Sequence, residues 1–493
     1  MGTINQTEQQ DEPSRSPIPW LAAAALLFAA TVAARWPGIV MHDSVEQYGQ
    51  ALAGRYDDWH PPIMARTWAL LNHIQPGTGP FFLIQILLWW GGLGLLAAAF
   101  GRQARHKAAG LVLLVGVAPL FLGWATVVLK DAQMACCLVA ATGVAAHWRL
   151  VDRVPPAWAK ATILLLIAYA TLVRANAVFA TVPFALALFV WGGVRRTPLR
   201  ISLLLLATGI VVALSGPVNY RLLGAERSKV ERTLFFYDLA GIAHFAPLAT
   251  LPGLAPGQWA EAERRECYTP SLWDPYGDRA LCGFIGDALE AHDNEHDDVM
   301  RIWAGAILHH PIAYAQHRIA HLNSNLRFWV GPGQWDAAPP IYSENNRLGL
   351  GGPPVAAGQE LVEASRTMAA SPLGWPFAWF GLSLGLLWAS ARVEGGGQVA
   401  LGRALALSTV CMSASFAVIS IASDLRYHLW SMIAAALAWI LLADARALDR
   451  RRAMIAGSVL LALTVIAAVG HIGLASQVYR PQAGATGPIT RLR

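Results

Sequence analysis

Long apolar runs set the organisation of this chain. Eleven read as membrane spans: residues 19–35, 78–100, 108–129, 132–148, 159–173, 176–194, 200–218, 373–391, 401–422, 427–443 and 454–475. A helix needs roughly 20 apolar residues to cross a bilayer, and a helical span satisfies its own backbone polar groups. The pattern predicts an all-α polytopic membrane protein. Polar segments divide it. Residues 1–18 read as a disordered cytoplasmic tail. No small-residue cleavage site follows that tail, so the first run is expected to act as an uncleaved anchor. Residues 19–218 form an N-terminal transmembrane module with a first loop at 36–77, and 219–372 a large mixed region between spans seven and eight. Helices over 373–475 and a tail, 476–493, complete the chain.

Charge orients these parts. Arg102, Arg105 and Lys107, then Arg149, Arg153 and Lys160, then Arg195, Arg196 and Arg200, then Arg392 and Arg403, then Arg446, Arg450, Arg451 and Arg452 all fall in alternate loops. Cytoplasmic loops carry such an excess. The N-terminus is therefore expected inside, with loop 36–77 and region 219–372 outside. Arg480, Arg491 and Arg493 would then lie outside and vote weakly against this. Composition agrees with the pattern: 14% of residues are charged and 55% hydrophobic, against about 25% charged in soluble domains. The net charge of +6 is accounted for by the loops. No basic block with interleaved aromatics is present, so no nucleic-acid partner is expected.

Three apolar stretches are about two spans long and are interrupted near the middle. Lys130 and Asp131 break the first, Arg174 and Asn176 the second, and Asp424, Arg426, Tyr427 and His428 the third. Each predicts a helical hairpin with its charge at an external turn. Ionisable groups there are costly unless they pair or line a wet cavity, which makes them functional candidates. The plainer alternative is that each snorkels at the interface.

The first loop adds acid to the same face. HDSVEQYGQALAGRYDDWHPP (42–62) holds His42, His60 and four carboxylates, Asp43, Glu46, Asp57 and Asp58. DSVEQYGQALAG reads as a short helix with Val45, Tyr48 and Leu52 on one face and Glu46, Gln47 and Gln50 on others. Asp43 or Ser44 stands where an N-cap belongs, and capping is compatible with a reactive role for Asp43. Pro61 and Pro62 make a stiff corner, beside which His60 is either a structural histidine or part of a site.

Weaker signals lie in the large region. Cys267 and Cys282 are a disulfide candidate if the region meets an oxidising compartment, whereas Cys136, Cys137 and Cys411 read as small buried hydrophobes. HHPIAYAQHRIAHLNSNLRFW predicts a helix with Ile312, Ala315, Ile319, Leu322, Leu326 and Trp329 on one face and His317, Arg318, His321 and Arg327 on the other. It suits a membrane surface or packing on the region's own core. His292 and His296 lack a third metal ligand and read as a solvated helix. Asp238 reads as a helix cap in preference to a residue lining the cavity, and GGLG in the second span as close helix packing.

Asp43 and Tyr48, the His60-Pro61-Pro62 corner, the Arg174–Asn176 start of one span and the Arg426-Tyr427-His428 start of a late one resemble the polytopic C-type (GT-C) glycosyltransferases. Relatives of that superfamily include protein O-mannosyltransferases and the aminoarabinose transferases of lipid A. The layout matches most of the chain, but only short motifs match in sequence. Asp-Ser stands where many relatives have Asp-Glu, and the large external part lies between spans rather than at the end. The resemblance implies a bacterial inner-membrane enzyme that takes a sugar from a polyprenyl-phosphate donor. The acceptor, a glycan, lipid or protein, meets it at the external face, and the transfer inverts. It implies Asp43 as general base with Glu46 and Asp58 behind it, and His60, Lys130, Arg174, Arg426 and His428 around the donor phosphate. Tyr48, Asp131, Asn176, Asp424 and Tyr427 would line the substrate. Four of the cationic candidates, Lys130, Arg174, Arg426 and His428, make a metal unnecessary, although some relatives use a divalent ion. A transporter or flippase, or a lipid-linked glycan polymerase or ligase, is the alternative. A transporter's polar groups should gather at the bilayer midplane and on both sides.

Overall fold

The computed structural model describes residues 16–194, 196–246, 254–332, 337–353 and 355–474. Most of the N-terminal tail, Arg195 and the C-terminal tail lie outside these residues. The first half comprises α1 (Ile18–Arg35), α2 (His42–Ala53), α3 (Ile63–Asn72), α4 (Gly79–Arg102), α5 (His106–Val117), α6 (Pro119–Ala125), α7 (Lys130–Arg149), α8 (Ala157–Val173), α9 (Val178–Phe189) and α10 (Thr197–Gly216). The large region holds α11 (Arg232–Phe245), α12 (Pro256–Arg264), α13 (Gly283–His296), α14 (Val299–His309), α15 (Pro311–Leu326) and α16 (Ala356–Ala370). The chain returns to apolar helices with α17 (Pro376–Ser390), α18 (Gly397–Ile419), α19 (Leu429–Asp444) and α20 (Arg450–Gly473).

A helix lies at each of the eleven predicted spans, but they are not eleven equal spans. Six are long and apolar enough to cross a membrane: α1, α4, α10 with its continuation to Leu222, α18, α19 with the turn before it, and α20. α5 and α6 make a seventh only as a pair bent by 58°. Pro119 explains the bend, because its ring and missing N–H break the backbone ladder. α8, α9 and α17 are apolar but shorter, and α7 opens on Lys130-Asp131, so its composition falls short.

α1, α4, α5, α7, α8, α9, α18 and α19 share one core, in which Trp89, Trp90, Trp124 and Trp430 are fully buried. The GGLG run sits where α4 meets α7 and α1. A Cβ on Gly92 would lie 2.6 Å from the Val139 carbonyl, and one on Gly94 would lie 2.7 Å from the Ala24 side chain. None of α10 is buried, so its apolar side chains are left for lipid.

The large region has its own core, in which Phe236, Tyr237 and Ile242 of α11 pack with Tyr276, Ile285 and Leu289. Cys267 and Cys282 are bonded there, with Cα atoms 5.9 Å apart. Two short parallel strands, β1 (Tyr56–Asp57) and β2 (Ala225–Glu226), tie the first loop to the chain leaving α10. α15 turns its polar face inward and leaves its apolar face outward, which excludes packing of the apolar face on the region's own core and is compatible with a membrane surface. His317, Arg318, His321 and Arg327 are buried, while Ile312 and Ile319 are exposed. Polar groups go inward here because partners await them: Asp238 in α11 meets Arg318 Nη2 at 2.5 Å, His317 Nε2 at 3.1 Å and Trp303 Nε1 at 2.7 Å. Asp238 is thus the centre of a buried network, not a helix cap.

Candidate functional site

α2 begins at His42, and its left-handed residue at the far end is Gly54 (φ 65°), which carries no Cβ to clash. Asp43 is therefore inside the first turn and caps nothing. The local capping is done by Ser44, whose hydroxyl accepts the Met41 N–H at 3.2 Å and donates to the Val128 carbonyl at 2.6 Å. This pins α2 against the start of α7 and frees the Asp43 side chain to face it.

The predicted turns converge on that carboxylate. Lys130 Nζ is 3.3 Å from Asp43 Oδ2, and Arg426 Nη1 is 3.5 Å from the same oxygen. Lys130 also donates to His60 Nδ1 at 2.7 Å. His60 Nε2 lies 3.9 Å from Asp43 Oδ1 and 3.3 Å from Glu46 Oε2. Behind this first layer, Arg426 is held by Asp424 (3.0 Å), and Arg174 pairs with Asp131. Arg174 Nε also donates to Asn176 Oδ1 at 2.6 Å, and its guanidinium lies 4.0 Å over the Tyr427 ring. His428 is fully buried with its ring 4.5 Å from Phe416. The guanidinium charges of Arg174 and Arg327 both reach it.

Electrostatics of the cluster follow from its count: four carboxylates (Asp43, Glu46, Asp131, Asp424) face three cations (Lys130, Arg174, Arg426). Burial by itself would raise the Asp43 carboxyl, but Lys130, then Arg426 and His60, outweigh it and hold Asp43 well below the usual carboxylate range. Burial and then the Lys130 charge push His60 down, against the pull of Asp43 and Glu46. Among the described residues no three His, Cys, Asp or Glu side chains are grouped as a metal site. The Lys130 ammonium stands between Asp43 and His60.

Two sequence-predicted residues are elsewhere. Asp58, read as a reserve base, accepts from the Tyr220 hydroxyl, the Ser228 N–H and the Ser228 hydroxyl, each at 2.6 Å. Its lone pairs are committed to clamping the chain after α10. Tyr48, read as lining the substrate, is in the core with its ring 5.1 Å from Trp68, and its hydroxyl accepts the Gly77 N–H. Sequence reading missed Gln47 and Arg35. Gln47 was visible as the residue one turn after Asp43. Arg35 caps the first span by reaching Thr126 Oγ1 at 3.1 Å and the Gly358 carbonyl at 3.3 Å, partners too distant in sequence to foresee.

No family model and no curated protein matches this sequence. Among solved structures the chain is similar to that of the archaeal oligosaccharyltransferase AglB from Archaeoglobus fulgidus, in complex with an inhibitory peptide and a dolichol-phosphate. The two are 15% identical, with a TM-score of 0.33. The match covers 94% of this chain and 56% of that one, so the chain spans little more than half its length.

Proposed function

We propose that the protein is a membrane glycosyltransferase that moves a sugar from a polyprenyl-phosphate donor to an acceptor hydroxyl at the external face. The observation that carries this reading is the meeting of one loop carboxylate, Asp43, with cations from two separate turns, Lys130 and Arg426. Sugar transfer from a phosphate needs those two parts side by side. Asp43 takes the acceptor proton while the acceptor oxygen attacks the anomeric carbon. The bond from that carbon to the phosphate oxygen breaks, and its electron pair leaves on the phosphate. Lys130 and Arg426, backed by Arg174, stabilise that charge. Displacement from the opposite side inverts the anomeric centre.

The resting electrostatics favour an ordered reaction. A base held far below neutrality is weak. A donor phosphate competes for Lys130 and Arg426, and every contact it takes from Asp43 restores basicity to that carboxylate. Donor binding thus prepares the base. Asp424, Asp131 and Asn176 act by holding the arginines in place.

The test is release of polyprenyl phosphate by the purified protein supplied with labelled undecaprenyl-phosphate sugars. Asp43→Asn is expected to lower transfer by about 100-fold or more at unchanged fold. Near wild-type transfer would remove Asp43 as the base. A wild type that releases polyprenyl phosphate from none of these donors would remove glycosyl transfer itself.

A further inference from the structure

Gln47 follows Asp43 by four residues in α2, so the two share a face. At 3.6 residues per turn it lies about 40° round the helix axis from Asp43, on the Ser44 side. Those neighbours define its direction: Asp43 reaches Lys130, and Ser44 reaches the Val128 carbonyl. Gln47 therefore lies on the buried face of α2, between the directions taken by Asp43 and Ser44. It is 1% exposed, and neither its Nε2 nor its Oε1 has a hydrogen-bond partner among the described residues. Gln50, on the same helix, shows the ordinary outcome, with Nε2 donating to Asp57 at 3.0 Å.

A primary amide offers two donors and an acceptor, and leaving both ends unbonded in a buried place carries a full desolvation penalty. Native proteins rarely keep such groups without a use for them. Asp131 Oδ2, on the carboxylate paired with Arg174, and both ring nitrogens of His428, two residues after Arg426, are also buried and without a hydrogen-bond partner. Open polar valences thus gather where the turns meet Asp43. The chemistry of an amide narrows what fills them. An ionised phosphate only accepts, so it would leave Oε1 unbonded, and the cations suit it better. A lipid chain would leave both ends unbonded. Adjacent sugar hydroxyls donate and accept, as the amide does.

We propose that Gln47 is a substrate-contacting specificity residue whose amide binds a hydroxyl pair of the transferred sugar. This rests on the glycosyl-transfer reading above. The test uses the purified full-length protein and Gln47→Met, which keeps the length and removes the amide. Binding is titrated with undecaprenyl phosphate and with undecaprenyl-phosphate glucose, mannose and arabinose, and thermal melts are recorded without ligand. The wild type is expected to bind at least one sugar-bearing probe more tightly than the bare lipid phosphate. Gln47→Met should weaken that probe by about 10- to 100-fold, leave undecaprenyl phosphate within about 2-fold, and melt no lower than wild type. Three outcomes overturn the assignment while sparing glycosyl transfer. The variant keeps the sugar preference, the wild type shows no such preference, or the ligand-free variant melts several degrees lower, marking Gln47 as fold support. If the wild type binds neither lipid phosphate nor any sugar-bearing probe, the glycosyl-transfer reading fails and Gln47 falls with it.

Discussion

At the scale of single residues, acids that look alike in sequence have opposite employment. Asp43 and Asp58 lie in one polar loop, yet Asp58 accepts from three donors of the chain after α10, and Asp43 meets cations from remote turns. Asp58→Asn is expected to cost about 1–3 kcal/mol, because it turns an NH2 donor toward donors that then lack an acceptor. Thermal melts should register the loss, while donor turnover per folded molecule stays at the wild-type level. Asp43 carries a pH signature instead. Its folded-state carboxyl is held below the ordinary range by Lys130 and Arg426, against burial. It therefore stays ionised through mild acid, and its pairing is lost only as pH falls through that depressed value. The kcat/KM profile reports the free enzyme's essential groups. No acid limb attributable to this base is expected above the usual carboxylate range. A limb near neutrality that survives in Asp43→Asn would place the base elsewhere.

At the scale of elements, α15 and the segment before α19 are coupled. Arg318 donates to the Ser420 carbonyl at 2.7 Å, and Ser324 meets the Ser423 hydroxyl at 2.9 Å. Trp273 N–H donates to the Ile421 carbonyl at 3.0 Å, and its ring lies 6.0 Å from Trp59, next to His60. The large region thus grips both arms of the site, the 420–428 segment and the proline corner. Arg318→Ala leaves Asp238 short of a buried partner and frees Ser420. It should cut donor turnover about 10-fold or more, as misplacing a site by an ångström does, and Arg318→Lys should recover part of it.

The same helix is acid-sensitive. Burial, then Arg318, push His321 down to about 3, although its bond to the Pro270 carbonyl opposes them. The unfolded chain binds a proton near pH 6.5, so between about 6.5 and 3 it holds more protons than the folded state. Stability must then fall as pH falls through that window, by up to about 1.4 kcal/mol per unit. Amide protection factors in α11 and α15, corrected for the intrinsic exchange rate, should fall accordingly at pH 5, and His321→Gln should flatten the dependence.

At the scale of the whole molecule, the site is assembled where one set of helix ends meets. Lys130 opens α7, Arg174 closes α8, and Arg426 stands just before α19. The opposite ends carry a different polar set, with Arg105 joined to Asp444 and Gln398. The basic loops predict that this second end faces the cytoplasm. Two exposed positions test the assignment. Arg55→Cys should react with an impermeant maleimide on intact cells, and Arg153→Cys only after permeabilisation. Reaction of both from one side would overturn the topology on which an external site depends.

Periodicity and charge asymmetry, both local properties, were enough to locate the apolar helices, the polar loops and the turns that carry Lys130, Arg174 and Arg426. A 3.6-residue pattern says where a helix is and says nothing of what it packs against. Hence the sequence could not tell that α5 and α6 bend, that α15 turns its histidines and Arg318 inward, or that Asp238 awaits them. Nor could it separate the acids of the first loop. The cations that pair with Asp43 are more than 80 positions away and the donors to Asp58 more than 160, and an acid's chemistry is set by the charges and donors that folding brings within about 4 Å. The residue types that could do the chemistry were determined by the sequence alone. Which of them meet was decided by tertiary structure, because burial and pairing exist only once the helices have met.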